Sequence, residues 1–272
     1  MEVEMLNNLN IKCTLCGCAE VELQDYKIRN ITDDSCKMYK CKNCETHFMY
    51  PLPSQDLSEY YDGIFREEVH TADYYDYTEL DKVFNNFLSE AKLRTERVKN
   101  DLSVNDTILE IGSSVGYFTA AISDYAKDVY ATEWDSKARA YIKDRLAKYN
   151  IHVAKNPEDF ETKFDKIFMF HVLEHIEKPI DFLKNLKQLL NENGKIYIEV
   201  PNVDDVMLKT FRCRPFIEHY YKKAHIFNYN EKGLEYIFDN CNFSNYKIRQ
   251  IQRYNQCREK YTDRRIKTNS IK

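Results

Sequence analysis

The stretch "DTILEIGSSVGYFTAAISDYA", residues 106–126, decides how the chain is read. It starts as a short β-branched run, "TILEI", turns through "GSSVG", and continues with the spacing of a helix. A strand that meets a helix through a glycine turn is the opening of a βαβ unit. Further strands are expected at "DVYATE" (128–133), "IHVAK" (151–155), "KIFMF" (166–170) and "KIYIEVP" (195–201). Helices are expected between them, at "SKARAYIKDRLAKYN" and at "DFLKNLKQLL", the latter stopped by "NENG". The alternation predicts an α/β fold, a Rossmann-like, doubly wound, mostly parallel sheet covered on both faces. Ligands of such sheets sit at the carboxyl ends of the strands. That rule nominates Glu110, Gly112, Ser113 and Gly116, then Glu133, Asn156, the run Phe170 to His175, and Pro201 with Asn202.

The glycine turn excludes two phosphate-binding patterns. Gly112 and Gly116 are separated by Ser113, Ser114 and Val115, so the spacing is not G-x-G-x-x-G, and no Gly-Lys-Ser/Thr follows. Glu110, two residues before Gly112, would repel a pyrophosphate; it suits a neutral or cationic cofactor with an amino group. Glu133 ends the second strand, 21 residues after Gly112, where a carboxylate can bind both hydroxyls of a ribose. Trp134 beside it can cover an adenine.

"FHVLEHIEKP" (170–179) contains H-x-x-E-H, the pattern of one class of zinc peptidase. Such a motif belongs inside a helix. Here Ile167 to Phe170 read as a buried strand, and Pro179 suits the first turn of the next helix. His171 is therefore placed at a strand end and Glu174–His175 in the following turn. Either His171 or His175 can serve as a general base, and Glu174 with His175 can equally brace the turn. "EHYYKKAHIFNY" adds His219 and His225.

Before the α/β part, Cys13-x-x-Cys16 and Cys41-x-x-Cys44 form two pairs separated by 24 residues. Four thiolates at this spacing complete a tetrahedral zinc site, closed and therefore structural. Gly17 follows the first pair, where a positive φ is expected. A hairpin is expected between the pairs, with Cys18 and Cys36 outside the ligand set. The expected division is a zinc-binding module (1–53), a helical, Tyr-rich cap or linker (54–100) and a Rossmann-like domain (101–272). Tyr60, Tyr61, Tyr74, Tyr75 and Tyr77 cluster in the cap, and apolar residues from Leu80 follow helical spacing to about Lys99.

The chain has 272 residues, 43% hydrophobic and 31% charged, with a net charge of −4. That balance argues against a general nucleic-acid binder, which needs a basic surface. No apolar run reaches the roughly 20 residues of a membrane span, and the start lacks the features of a signal peptide. A cytoplasmic location is expected, where the nine cysteines would be thiols or metal ligands.

"LEIGSSVG", "ATEWD", "FDKIFMFHVLEHIEKP", "NENGKIYIEVPN" and "HIFNYNEKGLEYIFDNCNF" occur in the order seen in class I S-adenosylmethionine-dependent methyltransferases. The sequence resembles that family over about residues 80 to 250. It is most similar to the bacterial group with an N-terminal four-cysteine zinc module, here "CTLCG…CKNCETHFMYPLPS", whose members methylate sugars, nucleotide-linked sugars and other small molecules. The resemblance implies one antiparallel strand near the end of the sheet. It implies Glu110, Gly112 and Gly116 around the methionine part of the cofactor and Glu133 at its ribose. A histidine at the His225 position borders the acceptor pocket in that family. Ser114 stands where the family has a third glycine, and the polar tail "NQCREKYTDRRIKTNSIK" stands in place of a final apolar strand. A related loop in ubiquinone-pathway O-methyltransferases, Glu-x-x-Glu-His, is similar to His171–Glu174–His175 and implies a divalent ion there as an alternative. The expected function is O-methylation of a sugar or nucleotide-sugar, with C- or N-methylation, or a cofactor-binding zinc-ribbon partner without turnover, as the other readings.

Overall fold

The structure, a computed structural model, describes residues 11–31, 35–52, 79–243 and 245–251. The Tyr-rich cluster, His70, the expected boundary at residue 53 and the polar tail lie outside the described residues.

The cysteine pairs sit at the turns of a small antiparallel sheet. β1 (Val21–Gln24) pairs with β2 (Lys37–Cys41), and β2 with β3 (His47–Tyr50). The expected hairpin is therefore present, and Gly17 takes φ +74°. Helix α1 (Leu80–Val98) follows, placing Val83, Ala91, Arg94 and Thr95 on its buried side.

The main sheet contains β4 (Thr107–Ile111), β5 (Asp128–Thr132), β6 (Ile151–Ala154), β7 (Phe164–Phe170) and β8 (Leu190–Glu199), all paired in parallel in the order β6-β5-β4-β7-β8. Between them run α2 (Tyr117–Ile122), α3 (Ser136–Arg145) and α4 (Pro179–Gln188). The chain steps from β4 outward to β6, then returns to the other side of β4 for β7. The switch point thus lies between β4 and β7, and the carboxyl ends of these strands are where such a sheet takes its ligand.

The pleat sorts the side chains. Ile108 packs with Ala91 of α1, with Phe118 and Ile122 of α2, and with Phe168. Leu109 and Ile111 face the other way, into a core shared with Leu183 and Leu186 of α4 and with Phe48 of β3. Complete burial of each large apolar side chain contributes about 2 kcal/mol, so both faces hold the sheet.

Two expectations are corrected. "NENG" does not separate helix from strand: α4 ends at Gln188 and β8 begins at Leu190. Phe164 pairs with Leu190 and Lys166 with Lys195, so the extra residues form a bulge inside β8, with Asn193 at φ +63°. A bulge takes up surplus residues without ending the pairing. The antiparallel strand implied near the end of the main sheet is not there among the described residues. After α5 (Val206–Lys209) and α6 (Arg214–Tyr220) comes β9 (Phe227–Asn228), which pairs antiparallel with β3, Phe227 opposite Phe48. Both phenylalanines are fully buried, so this pairing hides an edge of the cysteine sheet.

Helix α7 (Glu231–Asn240) then closes over the cysteine turn. Asn230 caps it, its Oδ1 accepting from the Gly233 amide at 2.9 Å. A Cβ on Gly233 would overlap Thr46 Oγ1 and come 3.5 Å from the Cys44 carbonyl oxygen. Gly233→Ala is therefore expected to destabilise the fold by about 1–3 kcal/mol. Thermal unfolding measures this, and an unchanged midpoint would mean that α7 can shift away from the turn.

Candidate active site

Three left-handed residues shape the loop after β4: Gly112 (φ +70°), Ser114 (φ +51°) and Gly116 (φ +76°). A Cβ on Gly112 would come within 2.6 Å of Val172 Cγ2, and one on Gly116 within 2.9 Å of Leu146 Cδ1. The glycines thus meet both a backbone and a packing demand. Ser114 holds the same type of conformation with a side chain, which costs about 1 kcal/mol. Gly112 and Ser113 amides both donate to the Thr132 carbonyl at 2.9 Å, tying the loop to the end of β5. Ser113 Oγ is buried and has no hydrogen-bond partner among the described residues.

Glu133 binds the two strand ends together. Its Oε2 accepts from the Ser114 amide at 2.7 Å and its Oε1 from the Asp135 amide at 2.9 Å. Arg139 donates to the carbonyls of Glu133 and Trp134 at 2.7 and 2.6 Å. Asn156 stands beyond β6, its amide donating to Asp159 Oδ2 at 2.9 Å. Glu110 points to the α2 side and accepts from Thr119 Oγ1. Burial raises its carboxyl to about 8, against the lowering contributions of Thr119 and Arg94.

The second half of the site follows β7. Phe170 packs edge-on against Phe118, ring centroids 4.6 Å apart, and lies 4.4 Å beneath the Arg94 guanidinium. His171 then takes φ +57°, which ends the strand sharply. Its amide donates to the Glu199 carbonyl at 2.8 Å. Its Nδ1 is 3.2 Å from Glu174 Oε1 and its Nε2 is 3.5 Å from Glu199 Oε1. Arg94 donates to that same Glu199 oxygen at 2.8 Å. Leu173–His175 form a single helical turn, and Pro179 opens α4. The H-x-x-E-H residues are thus divided between a strand end and a turn, not carried on a helix.

Glu174 is wholly buried; burial pushes its carboxyl up, but the His171 hydrogen bond and the charges of His175 and His171 outweigh this and lower it. His175 donates Nδ1–H to the Ala224 carbonyl at 2.7 Å. His225 meets it edge to face, with ring centroids 4.9 Å apart. Burial lowers both imidazoles below the ordinary histidine value. His219 is elsewhere, on α6, with Nδ1 accepting from Arg29 at 2.8 Å.

The four paired cysteines converge, with Cys13 and Cys44 sulfurs 3.7 Å apart and Cys16 and Cys41 sulfurs 3.4 Å apart. Ligand sulfurs around a tetrahedral zinc at about 2.3 Å stand about 3.8 Å from one another, so the cluster is compatible with zinc. The Cys13 contact holds the Cys44 thiol down at about 5, while the same contact and burial push Cys13 up. Cys18 and Cys36 are outside this cluster.

Arg94 and Glu199 were not nominated by the sequence. The local signals were two: the Glu90–Arg94 spacing on α1, an i, i+4 ion pair at 3.1 Å, and the place of Glu199 near the carboxyl end of a predicted strand.

The family described as "Methyltransferase domain" matches residues 78–248. The chain is 28% identical over 106 residues to a tRNA U34 carboxymethyltransferase of Campylobacter hominis, covering 36% of this chain and 36% of the relative. It is 26% identical over 98 residues to a probable S-adenosylmethionine-dependent methyltransferase of Mycobacterium tuberculosis, covering 35% of each. The matched region thus spans about a third of these curated relatives. Among solved structures, the fold is similar to that of the magnesium protoporphyrin IX methyltransferase of Synechocystis PCC 6803 with bound SAH. The TM-score is 0.50, at 13% identity, over 73% of this chain and 93% of the other. No helix among the described residues is long and apolar enough to cross a membrane.

Two outcomes are expected from the glycine loop and its neighbour. Ser114→Gly relieves the left-handed serine and should raise stability by about 1 kcal/mol, read as a higher melting temperature; a lower one would contradict the strain. Glu110 has a folded-state carboxyl raised above its ordinary value of 4.5 to about 8. Its contribution is therefore complete below about pH 4.5 and is lost as pH rises through about 8. Glu110→Gln cannot ionise, so its stability relative to wild type should improve steadily over that interval in denaturant unfolding. A constant difference would show that Glu110 ionises as freely in the folded chain as in the unfolded one.

Proposed function

The chain belongs to the methyltransferase-domain family, and from that premise we propose that it transfers a methyl group from S-adenosylmethionine to a hydroxyl of a small-molecule acceptor. The acceptor class we assign is a sugar or nucleotide-linked sugar, supported by the resemblance to methyltransferases with an N-terminal four-cysteine module. The observation that carries the reading is Glu133, whose carboxylate stands at the end of β5 against the left-handed loop of β4. Its oxygens accept hydrogen bonds where ribose hydroxyls offer them. Ser113 Oγ and the loop from Gly112 to Gly116 take the methionine part, with Glu110 behind them and Phe170 beside them. Trp134 and Asn156 flank the adenine.

The cofactor brings a methyl group on a sulfonium, which is electrophilic already. What remains for the protein is alignment and the removal of one proton. His171 is assigned as the base. Glu174 and Glu199 lie on either side of its ring, at 3.2 and 3.5 Å, and favour the imidazolium once the proton has been taken. Arg94 holds Glu199 in place. His175 and His225 shape the acceptor side of the same turn. In the cysteine module, Cys13, Cys16, Cys41 and Cys44 hold a structural zinc, which stabilises the fold and takes no part in methyl transfer.

Calorimetry with S-adenosylmethionine tests the premise, and absence of binding removes it. Glu133→Ala should weaken that binding about 10-fold or more, the loss of hydrogen bonds to a charged group. His171→Asn should bind the cofactor as wild type does and turn over about 10²–10⁴-fold more slowly. Turnover is read by mass spectrometry, as one methyl gained by a sugar phosphate or nucleotide-sugar. Equal rates for His171→Asn and wild type would remove His171 as the base.

A further inference from the structure

The histidine turn brings together side chains from two distant parts of the chain. Glu174 and His175 come from the turn after β7, and His225 from the segment just before β9. One ligand atom from each lies within 4.8 Å of the others. We propose that Glu174, His175 and His225 form a second metal site, for a divalent first-row transition ion held by two imidazoles and one carboxylate. It differs from the loop set that the sequence suggested, because His225 replaces His171 as a ligand.

Unsatisfied polar atoms point to a ligand. Glu174 Oε2 and His225 Nδ1 are buried and have no hydrogen-bond partner among the described residues; Glu174 is 0% exposed and His225 7%. Leaving such a group unpaired costs about 1–3 kcal/mol, and more for a charged one. A cation between them would satisfy both and balance the buried carboxylate.

The surrounding contacts suit ligation. Metal-bound histidines generally donate their other N–H to a carbonyl or carboxylate, which fixes ring and tautomer. His175 does so, through Nδ1–H to the Ala224 carbonyl at 2.7 Å, which assigns Nε2 as its ligand nitrogen. His171 Nδ1, 3.2 Å from Glu174 Oε1, holds the carboxylate by its other oxygen. The donor set selects the ion: imidazole suits zinc, cobalt, nickel and iron, whereas magnesium and calcium prefer oxygen throughout. Ligand atoms around a tetrahedral ion at about 2.1 Å stand about 3.4 Å apart, so the set closes by side-chain shifts of about 1 Å. Three protein ligands leave a coordination position for water or an acceptor oxygen. The competing occupant is a buried water, which would also satisfy two orphaned atoms.

Titration of the metal-free full chain with Co²⁺ separates these occupants. Cobalt on the four cysteines gives an intense thiolate charge-transfer band. Cobalt on two imidazoles and a carboxylate gives only weak visible bands. Wild type is expected to bind one equivalent of the second kind, whether or not the cysteines fill as well. Glu174→Gln, which preserves volume, and His225→Asn should each weaken that equivalent at least 10-fold and leave the thiolate band unchanged, which also reports that the variants are folded. Wild type with thiolate-bound cobalt alone, or with no cobalt bound, overturns the proposal; so do variants that retain the weak-band equivalent. Zinc-edge absorption spectroscopy of the loaded wild type gives a check without variants: nitrogen and oxygen ligands beside sulfur are expected, and sulfur alone overturns the site.

Discussion

Gly112 and Val172 approach each other across the ends of two neighbouring strands, and the arrangement of the site depends on that closeness. A Cβ at position 112 would lie 2.6 Å from the valine methyl, far inside van der Waals contact. Without one, the loop after β4 and the turn after β7 pack directly against each other. Their helices then leave in opposite directions. Phe118 and Ile122 of α2 pack on one face of the sheet, and Leu183 and Leu186 of α4 on the other. Glu133 and His171 follow β5 and β7, the two strands that flank β4 on either side.

The parts legible in the sequence were those with local causes. Buried parallel strands read as apolar β-branched runs, so β4, β5, β6 and β7 were visible at close to their observed bounds. The same rule resolved the H-x-x-E-H ambiguity, because Ile167 to Phe170 cannot be both a buried strand and a peptidase helix. The carboxyl-end rule then brought Gly112, Glu133 and His171 forward. What remained hidden depends on distance along the chain. β9 has two residues, too few for any periodicity, and its partner is in the first fifty. Arg94 meets Glu199 across 105 positions. His225 and His175 touch because the segment before β9 folds back over the turn, which no spacing records. The bulge in β8 was misread for a different reason: Asn-Glu-Asn-Gly is good turn chemistry, and a bulge uses the same positive-φ residue as a turn.

The cysteine module is remote from the histidines in chemistry but joined to them mechanically. The Met49 amide donates to the Ile226 carbonyl at 2.9 Å, and Phe48 pairs with Phe227. Two residues further on, the Tyr229 hydroxyl donates to the Leu173 carbonyl at 3.3 Å, on the turn that carries Glu174 and His175. Loss of the cysteine cluster would therefore loosen β3, then β9, and with it the position of His225.

The β3–β9 pairing also has a consequence for biosynthesis. His47 and Phe48 leave the ribosome about 180 residues before Phe227 and Asn228. At about 5–20 residues per second, the outer edge of β3 waits on the order of 10–40 s for its partner. During that interval the nascent chain displays an unpaired strand edge beside Phe48, so this small sheet is sealed only when a much later segment arrives.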